Sequence, residues 1–280
     1  MGERFERDAA LGAKNDRLKR LRRLIRQRQA RSEERAFVAE GPLLVVEALQ
    51  APHVEVLEVY AEEPIPPSVV AEAEMRGLTV QPVVAGGLRS VLDTVAPQPV
   101  CAVVKTPESA IAELPALGPV LVLVELRDPG NVGTLIRTAE AAGFVGVVLA
   151  GDSVDSTNPK VVRAAAGARF RLPVIVVDEV DDALTKLGAI GRRSLATVVE
   201  ADADSISGSV AAYDEVDLTN SAILLGNEAH GLSSGVVASA DLRVTVPLAG
   251  PTESLNVAAA GAVLCFESLR QRRVRESLPE

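Results

Sequence analysis

Two stretches decide the fold of this chain: ILLGNEAHGL (residues 223–232) and VPLAGPTESLNVAAAGAVLCFE (residues 246–267). Each begins as an apolar strand and enters a glycine-containing turn, and the second continues into a long helix of small residues. Two such junctions close together predict a pocket, because glycine lets the backbone approach a ligand closely. Ser254 stands just before the apolar run and is the expected cap of the final helix.

Apolar strands alternate with helices on both sides of these stretches. The sequence predicts strands at 120–125, 145–149, 170–176, 194–199, 222–225 and 243–247, with helices between them and a final helix at 254–275. Near-continuous runs of Val, Leu and Ile are typical of parallel strands that are buried on both faces. Ligands of such sheets bind at the carboxyl ends of the strands, where the glycine-containing turns of this chain fall.

A second, smaller alternation of strands and helices lies upstream, with a short helix expected at 88–94, and predicts a separate α/β domain. The predicted fold class is therefore α/β, with a mostly parallel C-terminal sheet and a small domain before it. The predicted segments are a basic helical arm at 1–35, the small domain at 36–105, a proline-containing linker at 106–119 and the parallel-sheet domain at 120–280.

The composition excludes several classes of function. Only 2% of the residues are aromatic and Trp is absent, which argues against a surface of stacked aromatics for single-stranded RNA. The longest apolar stretch, residues 257–266, is too short to cross a bilayer, and no secretory signal is visible. The two cysteines and the two histidines, Cys101, Cys265, His53 and His230, are far apart and offer no metal site. We expect a cytoplasmic protein with no membrane partner and no metal.

Charge is distributed unevenly along the chain. Residues 1–35 hold 12 Lys and Arg against 6 Asp and Glu, whereas the other 245 residues hold 17 against 32, for a net charge of −9. A basic helix before an acidic body indicates a polyanionic partner, although a solvated helix face explains the charge equally well. The candidate RNA-binding residues are Arg17, Lys19, Arg20, Arg23, Arg26 and Arg163. If the arm binds RNA, its deletion should weaken that binding.

Three loops carry the side chains that could do chemistry. The first runs from Arg127 to Arg137, whose guanidinium suits a phosphate, although a surface ion pair is the commoner role of a lone Arg. The second holds Glu228 between two glycines, either as an acceptor of backbone N–H groups or as a ligand contact. The third contains Ser254 and Asn256 at the start of the last helix. No dinucleotide fingerprint, P-loop or nucleophile elbow is present.

Together, these three loops resemble the three motifs of the SpoU (TrmH-type) branch of the SPOUT RNA methyltransferases. The matching residues are Asn131-x-Gly133-x-x-x-Arg137-x-Ala139 with Gly143-Phe144, then Leu225-Gly226-Asn227-Glu228-x-x-Gly231-Leu232, then Val246-Pro247-Leu248-x-Gly250 with Ser254-Leu255-Asn256-Val257 and Phe266-Glu267. Residues 37–49 also resemble the L30e-like substrate-binding domain of that family.

The resemblance implies a C-terminal trefoil knot that holds S-adenosylmethionine, and a homodimer that methylates a ribose 2′-hydroxyl of RNA. The cofactor contacts that it implies are Gly226, Val246 and Leu255, with Leu248 and Thr197 as further candidates. The catalytic and substrate-positioning residues that it implies are Arg137, Asn131, Glu228, Ser254 and Asn256.

The expected substrate is 23S ribosomal RNA, by analogy with the members that carry an extra N-terminal domain. The alternatives are a transfer RNA 2′-O-methyltransferase, an enzyme that methylates a base nitrogen, and a non-catalytic RNA-binding or assembly protein of the same fold. The Ser254-Leu255-Asn256 helix start favours ribose over a base nitrogen.

Overall fold

The chain divides into two compact units, and each carries its own sheet. The computed structural model describes residues 10–12, 14–94, 96–199 and 209–277. The first unit comprises Met1–Pro107 and Thr157–Phe170, and the second comprises Glu108–Ser156 and Arg171–Glu280. The predicted α/β class, with a small N-terminal domain before a mostly parallel sheet, is confirmed. Residues 1–9 and 13 of the predicted basic arm lie outside the described residues.

The first unit is built on a four-stranded mixed sheet in the order β1-β4-β2-β3. β4 pairs antiparallel with both β1 and β2, whereas β3 pairs parallel with β2. The strands are β1 (Ala36–Glu40), β2 (Val56–Glu62), β3 (Val80–Val83) and β4 (Val100–Lys105). The helices are α1 (Asp16–Arg26), α2 (Arg28–Glu34), α3 (Pro42–Gln50), α4 (Pro67–Met75) and α6 (Pro159–Ala165).

The basic helix α1 is an integral part of this unit rather than an arm. Its apolar residues Leu18, Leu21, Leu24 and Ile25 are buried at one face of the sheet, in one core cluster with Val38. Their spacing places them on a single side of the helix, which leaves the charged residues on the other side. Deletion of residues 1–35 would therefore expose a hydrophobic core, and it would not report on charge alone.

The opposite face of the first sheet is covered by α3, α4 and a segment from much later in the chain. Val162 of α6 and Phe170 belong to the same core cluster as Phe37 of β1. The Phe37 and Phe170 rings stack with their centroids 6.3 Å apart, and the guanidinium of Arg169 lies 5.9 Å from the Phe37 centroid. Residues 157–170 thus belong to the first unit, although the sequence prediction assigned them to the parallel-sheet domain.

The second unit contains a seven-stranded sheet in the order β7-β6-β5-β10-β8-β11-β9, and every pairing in it is parallel. The strands are β5 (Val120–Val124), β6 (Gly146–Ala150), β7 (Val174–Val177), β8 (Arg193–Thr197), β9 (Val210–Ala212), β10 (Ser221–Leu225) and β11 (Leu242–Thr245). The helices are α5 (Pro129–Ala141), α7 (Val180–Ala189), α8 (Ser234–Ser239) and α9 (Val257–Glu276).

Helices cover both faces of the central strand β10. Leu224 shares a core cluster with Ala183 of α7 and Val236 of α8. Its neighbour Leu225 points the other way, because successive side chains of a strand alternate between faces. A methyl group added at Gly261 of α9 would lie 2.8 Å from Leu225 and 2.2 Å from Leu135 of α5. Glycine at this position therefore allows α5 and α9 to pack closely on that face.

Several predicted boundaries differ from the structure. The predicted helix at 88–94 is a turn, and the strand predicted at 170–176 is only Val174–Val177, preceded by a short 3-10 turn at Ala168–Phe170. The segment predicted as a linker is packed, since Ile111 and Leu114 are buried in the core of the second unit. β9 at the sheet edge was not predicted, because three residues carry too little of a periodic pattern.

The stacked Phe37–Phe170 pair leads to a test of how the first unit is stabilised. We expect Phe170→Ala to destabilise this unit by about 3 to 5 kcal/mol, because it removes a buried ring and leaves a cavity. Hydrogen exchange of the β1 amides, residues 36–40, should accelerate strongly. Leu43→Ala is the control, since Leu43 of α3 is 81% exposed. Equal exchange in the two variants would contradict the assignment of residues 157–170 to this core.

Candidate active site at the carboxyl edge of the parallel sheet

Three loops meet at the carboxyl edge of the parallel sheet. They are the loop from β5 to α5, the loop from β10 to α8 and the loop from β11 to α9, at residues 125–128, 226–233 and 246–256. β5 and β10 are neighbours in the sheet, and β8 separates β10 from β11. The three predicted motif regions are therefore brought together by strand order, although they span more than a hundred residues of sequence.

Glu228 joins the first two loops. Its carboxylate accepts hydrogen bonds from the backbone N–H of Arg127 at 3.4 Å, the N–H of Asp128 at 3.2 Å and the side-chain amide of Asn131 at 3.2 Å. Burial alone would raise the pKa of Glu228, but hydrogen bonds from its own N–H, from Asn131 and from the two loop amides outweigh burial and lower it. Glu228 thus holds the two loops together as an ionised carboxylate, and we call it the anionic clamp. It is an acceptor of backbone N–H groups, which is one of the two roles that the sequence left open.

Asn131 extends this chain of contacts to the third loop. Its side-chain oxygen accepts a hydrogen bond from the Asn256 amide at 3.4 Å. The Asn256 oxygen in turn accepts from the N–H groups of Ala258 at 2.9 Å and Ala259 at 3.4 Å, which makes Asn256 the N-cap of α9. The expected cap at Ser254 is therefore wrong, because the helix begins three residues later, at Val257.

Asp128 begins α5, a role that the sequence prediction overlooked. Its carboxylate accepts the N–H of Asn131 at 2.8 Å, and Pro129 occupies the first helical position. Asn131 therefore lies inside the first turn rather than at the cap. An Asp followed by Pro is a recognisable helix-start signal, so this cap could have been read from the sequence.

Asn227 and its flanking glycines shape the second loop. The backbone groups of Asn227 and Gly231 exchange two hydrogen bonds, and the Asn227 amide donates to the Glu125 carbonyl at 2.8 Å. A side chain at Gly226 would lie 2.2 Å from the Gly231 carbonyl carbon and 2.3 Å from the Leu232 nitrogen. Only glycine allows the two arms of this loop to approach so closely.

The residues of the predicted cofactor contacts lie at the same edge of the sheet. Gly226 is buried, Val246 and Leu248 are half-buried, and Leu255 leaves 39% of its surface exposed. The Thr197 hydroxyl, at the end of β8, donates to the Leu224 carbonyl at 2.6 Å. The site therefore offers backbone groups and apolar side chains, as suits a ligand that is bound largely by main-chain contacts.

Arg137 is exposed on α5, and within the described part of the chain no hydrogen bond or ion pair engages its guanidinium. The alternative of a surface ion pair is therefore not supported among the described residues. Asn131, Glu228 and Asn256 form one hydrogen-bonded chain, whereas neither Arg137 nor Ser254 contacts it through a hydrogen bond. Both side chains remain accessible to a ligand.

The predicted RNA-binding residues all lie in the first unit, and most of them have protein partners. Arg20 pairs with Glu34 and Glu58, and Arg163 pairs with Glu40 at 3.4 Å. The remaining contacts are Lys19 with Asp16, Arg23 with Glu34 and Arg17 with the Gln81 side chain, whereas Arg26 has no such partner among the described residues.

Among the described residues, no group of three or more His, Cys, Asp or Glu side chains is placed to hold a metal ion. No helix in the described ranges is both long and apolar enough to cross a membrane.

The chain thus has a parallel α/β sheet with three hydrogen-bonded loops at its carboxyl edge, preceded by a small mixed-sheet unit, and two family models match these two parts. Residues 118–266 match the SpoU rRNA Methylase family and residues 15–102 match an MRM3-like substrate binding domain. The chain belongs to the SpoU rRNA methylase family.

Relatives and solved structures agree with this assignment along nearly the whole chain. The chain is 33% identical over 264 residues to the 23S rRNA (guanosine(2553)-2′-O)-methyltransferase RlmP of Bacillus subtilis, covering 91% of this chain and 96% of that protein. An AdoMet-bound rRNA methyltransferase from Sinorhizobium meliloti superposes with a TM-score of 0.80 at 30% identity, over 92% of this chain and 95% of that one. The SpoU methyltransferase AviRb from Streptomyces viridochromogenes, in complex with AdoMet, superposes with a TM-score of 0.81 at 26% identity, over 93% and 99%.

The lowered pKa of Glu228 leads to a test of the clamp. Its folded-state pKa lies below the ordinary value of 4.5, so its stabilising contribution is present above about pH 4.5 and is lost as the pH falls through the folded value. We expect Glu228→Gln to lower the melting temperature at pH 7, and the difference from the wild type to shrink toward pH 3. Glu253→Gln, at an exposed residue of the third loop, is the control and should show neither effect. A difference that stays constant over this pH range would argue against the anionic clamp.

Proposed function

We propose that this protein transfers a methyl group from S-adenosylmethionine to a ribose 2′-hydroxyl of 23S ribosomal RNA. The observation that carries the proposal is the hydrogen-bonded chain Glu228–Asn131–Asn256, which unites the three motif loops at the carboxyl edge of the sheet. Ribosomal RNA is favoured over transfer RNA because RlmP, which matches almost end to end, is named for 23S rRNA. Such a substrate agrees with a cytoplasmic location.

The cofactor residues proposed for this chain fit an adenosyl ligand. Val246, Leu248 and Leu255 supply apolar surface, and the close approach at Gly226 leaves backbone groups of the second loop at the site. The Thr197 hydroxyl of β8 donates a hydrogen bond to the Leu224 carbonyl of β10, and we place this residue at the base of the cofactor site. When bound, S-adenosylmethionine supplies an electrophilic sulfonium methyl group, so the protein mainly has to align the acceptor and improve it as a nucleophile.

Arg137 is the residue that we assign to binding the methyl acceptor, the target nucleotide of the RNA. An arginine guanidinium stays protonated in proteins and is a poor general base. Its five donors are arranged in a planar fork that matches a phosphate, and on the exposed surface of α5 no partner among the described residues occupies them. We therefore assign Arg137 to binding the phosphate beside the target ribose. A non-bridging oxygen of that phosphate accepts a hydrogen bond from the 2′-hydroxyl and relays its proton to water, so Arg137 orients the acceptor and is not itself the base.

The remaining site residues position the loops and the ribose. Glu228 holds the first loop through two backbone N–H groups and Asn131, and Asn256 holds the third loop through the N-cap of α9. Because these contacts are already made within the chain, we assign Asn131, Glu228 and Asn256 to positioning. Ser254 has no hydrogen bond within the described residues, and its exposed hydroxyl is available to the ribose.

We further propose a homodimer and a knotted C-terminus for this chain. α9 leaves Phe266 51% exposed and Val274 46% exposed, and both border one surface groove with Leu269. Large apolar side chains on one side of a helix favour burial against a partner, and a second copy of the chain is the occupant that we propose. The interleaved strand order, with β10 between β5 and β8, is compatible with a knot.

The role of Arg137 leads to a prediction about turnover. Arg137→Lys keeps the charge but loses the planar fork, so 2′-O-methylation of 23S rRNA should fall by about 10²-fold or more, whereas S-adenosylmethionine binding measured by calorimetry should persist. Arg193→Lys is the matched control, because Arg193 is exposed at the opposite end of the sheet.

Each outcome of that experiment has a clear meaning. Near-normal turnover of Arg137→Lys would remove Arg137 from the acceptor role. Failure of the wild-type protein to bind S-adenosylmethionine would favour a non-catalytic RNA-binding protein of the same fold. Methyl groups found on a base nitrogen would favour the base-methylating alternative.

The apolar face of α9 leads to a prediction about assembly. Phe266→Glu together with Val274→Glu should shift the protein from dimer to monomer in sedimentation experiments, because buried unpaired carboxylates oppose association. Leu117→Glu is the control, since Leu117 is 76% exposed and lies outside this groove. A wild-type protein that sediments as a monomer would refute the dimer.

A further inference from the structure

The buried apolar stripe of helix α1 has basic residues along each side, and we call these two sides its borders. The borders differ in whether acidic side chains pair with their arginines. The buried stripe that contains Leu21 and Leu24 is bordered by Arg20 on one side and by Arg22 on the other, because residues two apart on a helix point about 200° apart. Arg20 donates to Glu34 at 2.5 Å and to Glu58 at 2.9 Å. These two carboxylates neutralise the Arg20 border and hold the helix to its own domain.

Among the residues that the structure describes, no carboxylate pairs with the Arg22 border. The Arg22 guanidinium donates to the backbone carbonyl of Ser90 at 2.9 Å, which uses one donor without neutralising the charge. Arg26 lies one turn further along the same border, about 6 Å away along the helix axis. Arg89 is exposed and adjacent to Ser90 in the turn that Arg22 contacts. Among the described residues, neither the Arg26 nor the Arg89 guanidinium has a hydrogen bond or an ion pair.

The turn that carries Arg89 is held rigidly against α1. The Glu62 carboxylate accepts the N–H groups of Gly86 at 2.8 Å and Leu88 at 2.6 Å, so it is engaged with backbone amides. Leu88 and Val91 are buried in the same core cluster as the apolar stripe of α1. Arg89 is therefore presented from a fixed backbone, which reduces the entropy that a binding partner would have to remove.

The chemistry of this border selects its partner. Arginine offers a planar set of donors that matches phosphate, and the apolar residues of α1 are buried, so the helix has no apolar face for insertion into a membrane. The protein as a whole carries a net charge of −9, so a polyanion must be met by a local patch of positive charge. Arg22, Arg26 and Arg89 form such a patch at the junction of α1 and the 86–91 turn.

We infer that the Arg22–Arg26–Arg89 border of α1 binds the phosphate backbone of the RNA substrate. The inference rests on the proposed function, and it specifies which side of helix α1 contacts the RNA. On this assignment Arg20 and Arg163 are structural, since their charges are already paired with carboxylates. Arg22 both contacts the turn and faces the substrate, so it is left unchanged in the test.

Binding of the full-length protein to a 23S rRNA transcript, measured over a series of salt concentrations, tests the inference. We expect Arg26→Glu with Arg89→Glu to weaken binding by about tenfold or more at low salt and to lower the slope of log K against log salt by about 0.7 to 0.9 for each lost contact. Lys186→Glu with Arg193→Glu, at two exposed residues of the second unit, changes the net charge by the same amount and is the control. S-adenosylmethionine affinity and thermal unfolding should stay at wild-type values in all variants.

The possible failures are distinguishable. A wild-type protein that does not bind the transcript would contradict the proposed function itself. Wild-type binding that survives in the Arg26→Glu and Arg89→Glu variant, or that falls equally in the Lys186→Glu and Arg193→Glu control, would overturn the inference. An equal loss in Arg17→Glu would also overturn it, since Arg17 lies on the Arg20 side of the helix. Loss of binding to phosphatidylserine vesicles with RNA binding unchanged would assign the patch to a membrane surface instead.

Discussion

The Glu228 carboxylate is the interaction on which the site depends. It accepts two backbone N–H groups and the Asn131 amide from a loop that is about a hundred residues earlier in the chain. The Asn131 side-chain oxygen in turn accepts a hydrogen bond from Asn256, which caps α9. A carboxylate that accepts several hydrogen bonds is favoured in its charged form, so one ionised group orders three loops. Arg137 and Ser254 are exposed and lie outside this hydrogen-bonded chain.

The first unit uses its basic helix for two purposes. The apolar stripe of α1 completes a hydrophobic core, and its charged surface is divided between residues in internal ion pairs and arginines that have no ion pair among the described residues. Internal pairs such as Arg20 with Glu58 hold the helix in place, whereas Arg26 leaves its charge available to a partner. An acidic protein can bind a polyanion in this way, because the local field at the contact matters more than the net charge.

The bounds of strands and helices were predicted accurately where the hydrophobic pattern extends over many residues. The apolar strands β5, β6 and β10 and the long helix α9 were predicted to within a few residues, because each is a sustained run of one periodicity. Short elements and helix caps were predicted less accurately from the sequence. β9 has three residues, the predicted helix at 88–94 is a turn, and the cap of α9 is Asn256 rather than Ser254. A cap depends on where the chain turns, and both residue types can cap a helix.

The sequence by itself determined the fold class, the parallel sheet, the three loops and the residue types at the site, because hydrophobic periodicity and glycine-containing turns are local properties. Only the tertiary structure decided which of those residues touch. It showed that Glu228 binds the first loop, that Arg20 and Arg163 are paired, and that residues 157–170 complete the core of the first unit. Each of these is a contact between distant parts of the chain. Spacing along the sequence carries no information about such contacts until strand order and packing bring the residues together.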